Sequence, residues 1–194
     1  MKKLMIATHN LSKVIEFKSL LDGYYITSSK DCGIEDVEET GTTYVENAII
    51  KARHCSLKSN QPCLADDSGL EIDYLNHEPG VYSARYAGKG KQSHDNVMKV
   101  LTQLRGVPFD KRTARFRCVL VWMRHAMDPA PIIVEGVWEG YIHTEAKGVH
   151  GFGYDPIFWS VEHQCTAAEL SPDIKRVLSH RAKAKNKLLC VMGA

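Results

Sequence analysis

The run Leu64-Ala65-Asp66-Asp67-Ser68-Gly69-Leu70-Glu71-Ile72-Asp73 sets two adjacent carboxylates, a hydroxyl and a glycine between short apolar segments. Carboxylates in such a place are candidates for metal binding or proton transfer. Residues 62–65 read as the end of a buried strand, and residues 70–74 alternate apolar with acidic as a half-buried strand does. The two acids are therefore expected at a strand end, where a turn aims them into a cleft. Asp, Ser and Gly also form polar turns for reasons unrelated to catalysis, and that reading stands beside the first.

The elements that must position these acids follow from the rest of the chain. Residues 3–7 form an apolar run that ends in Thr8-His9-Asn10, and Val14, Phe17, Leu20 and Leu21 then recur at helical spacing until Asp22-Gly23 stops the helix. Strand, polar turn and helix leave backbone N–H groups and a positive dipole end for an anion, with Lys13 adding a full charge; an ordinary capped helix accounts for the pattern equally well. The Walker spacing is absent. Thr43 and Glu46 are placed as a capping box for a second helix, whose buried stripe is Tyr44, Ala48, Ile49, Ala52 and Cys55, with Lys51 off that stripe. Residues 76–92 read as a long loop broken by Pro79-Gly80, Gly88 and Gly90, after which Ser93 caps a helix to Leu104 with Val97, Val100 and Leu101 inward. Residues 113–123 and 132–142 are two strands joined by Asp128 to Pro131 as a hairpin, with Arg115 and Arg117 on one face. Three glycines and a proline surround aromatics and one acid in residues 148–159, Gly148 to Trp159, a pattern suited to holding a flat base. Ser171-Pro172 starts a last helix that runs to Met192 or breaks near Ser179.

Composition narrows the class. The chain has 194 residues, 44% of them apolar, which suffices for one domain with a sizeable core. With 25 basic and 23 acidic residues the net charge is +2, so bulk charge implies neither nucleic acid nor a membrane surface. Acids gather at 31–46 (Asp31, Glu35, Asp36, Glu38, Glu39, Glu46) and bases at 175–187, either as a charged site fed from both ends or as two solvated faces. No apolar run approaches the ~20 residues of a bilayer span, and the apolar start is too short for a signal peptide, so a cytoplasmic location is expected. Six scattered cysteines lack zinc-ligand spacing and read as reduced thiols.

Five motifs stand in order: ATHNLSK (7–13), EETG with ENAIIKA (38–52), ADDSGLEID (65–73), GVYSARYAG (80–88) with GFGYDPIF (151–158), and SHRAKA (179–184). Together they resemble the inosine triphosphate pyrophosphatase family, also called XTP/dITP diphosphatases, over residues 4 to about 189 and closest to its bacterial members. The resemblance implies an α/β fold with a mixed central sheet and flanking helices, in an elongated, two-lobed single domain (1–194) with the nucleotide cleft between lobes. It also implies Mg²⁺-dependent hydrolysis of ITP, dITP, XTP or dXTP to the monophosphate and pyrophosphate, and a homodimer with no nucleic-acid or membrane partner.

Carried over residue by residue, the resemblance assigns Thr8, His9, Asn10, Leu11, Ser12 and Lys13 to the triphosphate turn and Lys51 to a further phosphate contact. Glu38 and Asp67 match the metal carboxylates, and Asp67 also the catalytic base. Ser68, Phe152, Gly153, Tyr154, Asp155, Lys175, His180 and Arg181 match residues that hold the nucleotide and its base. Glu39 and Asp66 could exchange roles with their neighbours, and His9 stands where the family frequently has glycine. The chemistry agrees: a Mg²⁺–triphosphate complex needs only one or two protein carboxylates, and Lys13 and Lys51 would absorb charge developing on the phosphates. Donors such as Arg181 or His180 would pair with a 6-oxo purine and mismatch adenine, while Phe152 or Tyr154 would stack on the base. A pyrophosphatase of the septum-inhibitor (Maf-like) class and a non-hydrolysing nucleotide-binding regulator are the rival readings.

Overall fold

The computed structural model describes residues 2–21, 23–88, 90 and 92–193. Asp22, expected to help stop the first helix, lies outside the described residues. The strands are β1 (Lys2–Ala7), β2 (Tyr24–Ser28), β3 (Cys63–Ile72), β4 (Thr113–Met123), β5 (Ile132–Ile142), β6 (Phe158–Ser160) and β7 (Cys165–Thr166). They form one sheet in the order β2-β1-β3-β4-β5-β6-β7. β1 runs parallel to β2 and β3, whereas β5, β6 and β7 are antiparallel neighbours, so the sheet is mixed as expected. The helices are α1 (Leu11–Leu20), α2 (Tyr44–Ser59), α3 (Ser93–Gln103), α4 (Pro172–Leu178) and α5 (His180–Met192).

The chain divides into two compact units, each discontinuous in sequence. The first comprises Met1–Asp67, Cys118–Gly136 and Arg181–Ala194; the second comprises Ser68–Arg117 and Val137–His180. Leu4, Ile6, Phe17, Leu64, Leu120 and Leu188 build the core of the first unit. Leu70, Val100, Phe116, Trp138, Ile157 and Phe158 build that of the second. Burial of apolar side chains at roughly 25 cal/mol per Å² is the main term holding each together.

Several expectations are corrected. Asp66 to Gly69 form no turn; they lie inside the continuous strand β3. Propensity disfavours Asp and Gly in a strand, but pairing of β3 with β1 (Ile6 opposite Leu64, Ala7 opposite Ala65) and neutralisation of both acids by distant cations override it. Lys51 sits on the buried face of α2 and not off it. The N-cap of α3 is Gln92, which forms a capping box with Asp95, in place of Ser93. Within the expected loop at 76–92, residues Gly80–Arg85 form a 3₁₀ turn, tied to β3 by a hydrogen bond from Leu70 N–H to Ser83 Oγ. The Thr43–Glu46 capping box, the bounds of β4 and β5, and the break of the last helix at Ser179 are as expected.

Candidate active site

In the first unit, adjacent residues of β3 point to opposite faces of the sheet and so acquire different partners. Asp66 is fully buried. Its Oδ1 takes an ion pair from Lys13, and its Oδ2 accepts Arg181 Nε and the Cys118 thiol, each at 3.0 Å. Arg181, equally buried, also pairs through Nη1 with Glu16 on α1. Burial alone would raise the Asp66 carboxyl, but Arg181 and Lys13 outweigh it and hold the group well below the usual range. Burial, with Asp66 beside it, pushes the Cys118 thiol well up, so it stays protonated and donates. Asp66 therefore has its oxygens engaged by the protein itself.

Asp67 is different. Its Oδ1 accepts Lys51 Nζ at 2.8 Å, while its buried Oδ2 has no hydrogen-bond partner among the described residues. Burial pushes its carboxyl up, against the pull of Lys51 and Lys13. Lys51 also pairs with Glu39 Oε1 at 3.0 Å; desolvation would lower it, but Asp67 and Glu39 together raise it. The structure thus brings Glu39 to Lys51 and Asp67, while Glu38, the residue expected there, is exposed. An orphaned carboxylate oxygen beside a second carboxylate on the same ammonium is a hard-oxygen set that fits Mg²⁺. Among the described residues no group of three or more His, Cys, Asp or Glu is placed to hold a metal.

The turn before α1 is preorganised by its own side chains. Asn10 Oδ1 accepts the N–H groups of Ser12 (2.9 Å) and Lys13 (3.3 Å), and Asn10 N–H donates to Thr8 Oγ1. Two of the N–H groups expected to await an anion are therefore taken by the cap. His9 Nε2 bonds the Ile34 carbonyl at 2.7 Å and anchors the turn to residues that follow β2, and the Leu11 side chain is exposed. Glu16 and Cys118 escaped the sequence reading. Glu16 stands three residues after Lys13 on one helix face, a spacing that could have drawn attention to it.

In the second unit, Gly151 to Asp155 make a tight turn closed on itself. Asp155 Oδ2 accepts Phe152 N–H at 2.7 Å and an ion pair from Lys175, whose Nζ lies 5.3 Å from the Phe152 ring centroid. Gly151 has φ +76°, and a Cβ there would lie 2.1 Å from Asp155 Oδ2. Gly151→Ala is expected to destabilise the protein by on the order of 1–3 kcal/mol through this backbone strain, read as a lower urea midpoint. Of the two candidate stacking rings, Tyr154 is buried in the core with its hydroxyl donating to Ser83 O at 2.8 Å, whereas Phe152 is half-buried. His180 stacks on Phe116 at 4.9 Å between ring centroids and 18° between planes. Ser68 is half-buried on β3. A cavity of about 300 Å³ opens beside the turn, lined in part by Phe152, Gly153, Pro156, Val97 and His94.

This arrangement has relatives. A family model described as the Ham1 family matches residues 4–191. The chain belongs to the Ham1 family. The resemblance carried by the five motifs is thereby borne out over nearly the whole chain. Ham1-family relatives include proteins named dITP/XTP pyrophosphatase from Vibrio cholerae, 53% identical over 97% of this chain and 95% of that protein, and from Photobacterium profundum, 50% identical over 99% and 98%. Among solved structures, a HAM1 protein from Coxiella burnetii superposes with a TM-score of 0.90 at 47% identity, covering 100% of this chain and 99% of that one. A nucleoside-triphosphatase / dITP/XTP pyrophosphatase from Mycobacterium abscessus gives 0.76 at 38% identity, covering 96% and 98%.

Proposed function

We propose that this chain hydrolyses non-standard purine nucleoside triphosphates, ITP, dITP, XTP and dXTP, to the monophosphate and pyrophosphate, and so removes deaminated purines from the nucleotide pool. Its Ham1 relatives named dITP/XTP pyrophosphatase support the reaction class. The observation that carries the mechanism is the contrast at β3: Asp66 is engaged by Lys13, Arg181 and Cys118, while its neighbour Asp67 keeps a buried oxygen without a hydrogen-bond partner among the described residues.

In this reading Asp67 Oδ2 orients the attacking water and takes its proton, and Lys51 fixes Asp67 through Oδ1. Lys13, held by Asp66, and Lys51, held by Glu39 and Asp67, lie where positive charge would stabilise a departing pyrophosphate. Asp67 with Glu39, or with Glu38 after a local shift, would hold Mg²⁺. That ion would supply charge neutralisation of the triphosphate and a more acidic water. Thr8 to Ser12 present the turn that meets the phosphates. In the second unit, Phe152 offers the ring for stacking, Lys175, Asp155 and Gly153 shape the loop, and Ser68 and His180 provide polar groups for the nucleoside. Arg181, expected to meet the base, would have to leave two carboxylates to do so. Its part in this proposal is to hold Asp66 and, through it, Lys13.

The proposal includes a single catalytic domain acting as a homodimer in the cytoplasm without nucleic-acid or membrane partners. The near-neutral charge balance is in keeping with the lack of a nucleic-acid or membrane-surface partner, and no helix among the described residues is long and apolar enough to cross a membrane. The test is pyrophosphate release from ITP and XTP against ATP and GTP, with Mg²⁺ and with chelator. We expect release from ITP and XTP to exceed that from ATP by ~10⁴-fold where a 6-oxo hydrogen bond decides, and to vanish with chelator and return with Mg²⁺. Equal use of all four substrates, or release that survives chelation, would contradict the proposal.

A further inference from the structure

The segment that carries Glu39 is tied to α2 by residues the mechanism above does not use. Gly41 N–H donates to Asn47 Oδ1 at 2.8 Å, and Glu46 Oε2 accepts the N–H groups of Thr42 and Thr43, each at 2.9 Å. Glu46 is accounted for by helix capping. Asn47 is not. It is fully buried, and its Nδ2 has no hydrogen-bond partner among the described residues. Burying an unpaired donor works against folding, and an apolar side chain at this point would avoid that cost. What the asparagine contributes is therefore its carbonyl bond to Gly41. Gly41 leaves no slack on its side: a Cβ there would lie 2.6 Å from Glu46 Cβ and 2.7 Å from Asn47 Oδ1.

Asn47 also stands one helical turn before Lys51, on the same buried face of α2. Lys51 grips the Glu39 carboxylate at 3.0 Å and Asp67 at 2.8 Å. One helix face thus holds Glu39 twice, by its carboxylate through Lys51 and by its backbone two residues on through Asn47. We propose that Asn47 is a positioning residue of the active site: the Asn47–Gly41 bond fixes residues 39–41 so that Glu39 stays on Lys51 beside Asp67. As a statement about turnover this rests on the proposed function; as a statement about the segment it does not.

The test compares the wild-type protein with Asn47→Ala, Gly41→Ala and the double variant. Three quantities are read: hydrogen exchange of the Gly41 amide without substrate, kcat and KM on ITP, and the unfolding midpoint. Asn47→Ala is expected to speed Gly41 exchange and lower kcat by about tenfold or more, with KM changed less than about threefold, because a misplaced group costs rate more than affinity. Its unfolding midpoint should fall only modestly, because the lost bond and the space opened at this buried site are offset in part by removal of the unpaired Nδ2. The double variant should lose less than the sum of the two single losses, because both variants break the same Asn47–Gly41 bond. Unchanged Gly41 exchange, additive losses, or a fall in kcat that only tracks lost stability would overturn the proposal. If the wild-type protein does not turn over ITP, the functional reading falls, and Gly41 exchange still decides whether Asn47 fixes the segment.

Discussion

Asp67→Asn is expected to lower turnover of ITP by on the order of 10²-fold or more while the protein stays folded. The amide keeps an oxygen for Lys51 Nζ, now 2.8 Å from Oδ1, and its neutral NH₂ group occupies the place of the oxygen that has no hydrogen-bond partner among the described residues. Lys51 retains Glu39 as a counter-charge. What is lost is the group proposed to orient the water and take its proton, together with the negative charge proposed for the metal. The check is kcat on ITP beside a thermal melt. A folded variant with near-normal turnover would remove Asp67 from the mechanism, and a variant that fails to fold would show that its carboxylate is structural. Asp66→Asn should behave in the opposite way, losing stability first, because every strong partner of Asp66 is a protein cation or donor.

Arg181→Ala is expected to cost on the order of 3–5 kcal/mol of stability, because it strips the fully buried Asp66 of the guanidinium that shares it with Lys13. That is a large share of the roughly 5–15 kcal/mol that holds a typical domain folded. Urea unfolding at neutral pH reads it directly. Replacing both members of the pair, Asp66→Asn with Arg181→Met, should restore part of the stability, since both fully buried charges are then gone and the charges left behind, Lys13 and Glu16, are partly exposed, but not the activity, since Lys13 is no longer held. A loss below about 1 kcal/mol in Arg181→Ala would place the pair among the weak, solvent-screened ion pairs and would undo its assigned role in holding Lys13.

Local rules carried much of the architecture. Thr43 and Glu46 announced the start of α2, and β4 and β5 were legible to the residue because alternation and β-branched content run unbroken between a polar start and the Asp128 turn. Asp128 anchors that turn by accepting the N–H groups of Arg124 and Ala130. The charged middle of β3 was not legible as strand, because the groups that neutralise it come from far along the chain; Arg181 lies 115 positions from Asp66. Lys51 was misplaced for the same reason: periodicity reads lysine as a polar face and cannot see Asp67 and Glu39 waiting inside. β6 and β7, three and two residues long, carry too little pattern to stand out.

The candidate site was legible as a set of motifs: the pairs Lys13–Asp66 and Lys51–Asp67 join residues inside them, and Lys175–Asp155 joins a motif residue to one that the family resemblance had added. Its inner ordering was not. Only the opposite facing of successive strand residues separates Asp66 from Asp67, and only the path of residues 35–41 brings Glu39, in preference to Glu38, to Lys51. Tyr154 and Phe152 looked interchangeable as stacking rings until burial gave one of them to the core.

Phosphorus NMR of the products formed from ITP and Mg²⁺ in ¹⁸O-labelled water locates the phosphorus that water attacks. Inosine monophosphate and pyrophosphate are expected as the only products, with the label in the monophosphate, because the proposed attack is on the α-phosphorus in line with a departing pyrophosphate. Orthophosphate with inosine diphosphate, at any stage before the monophosphate, would contradict it.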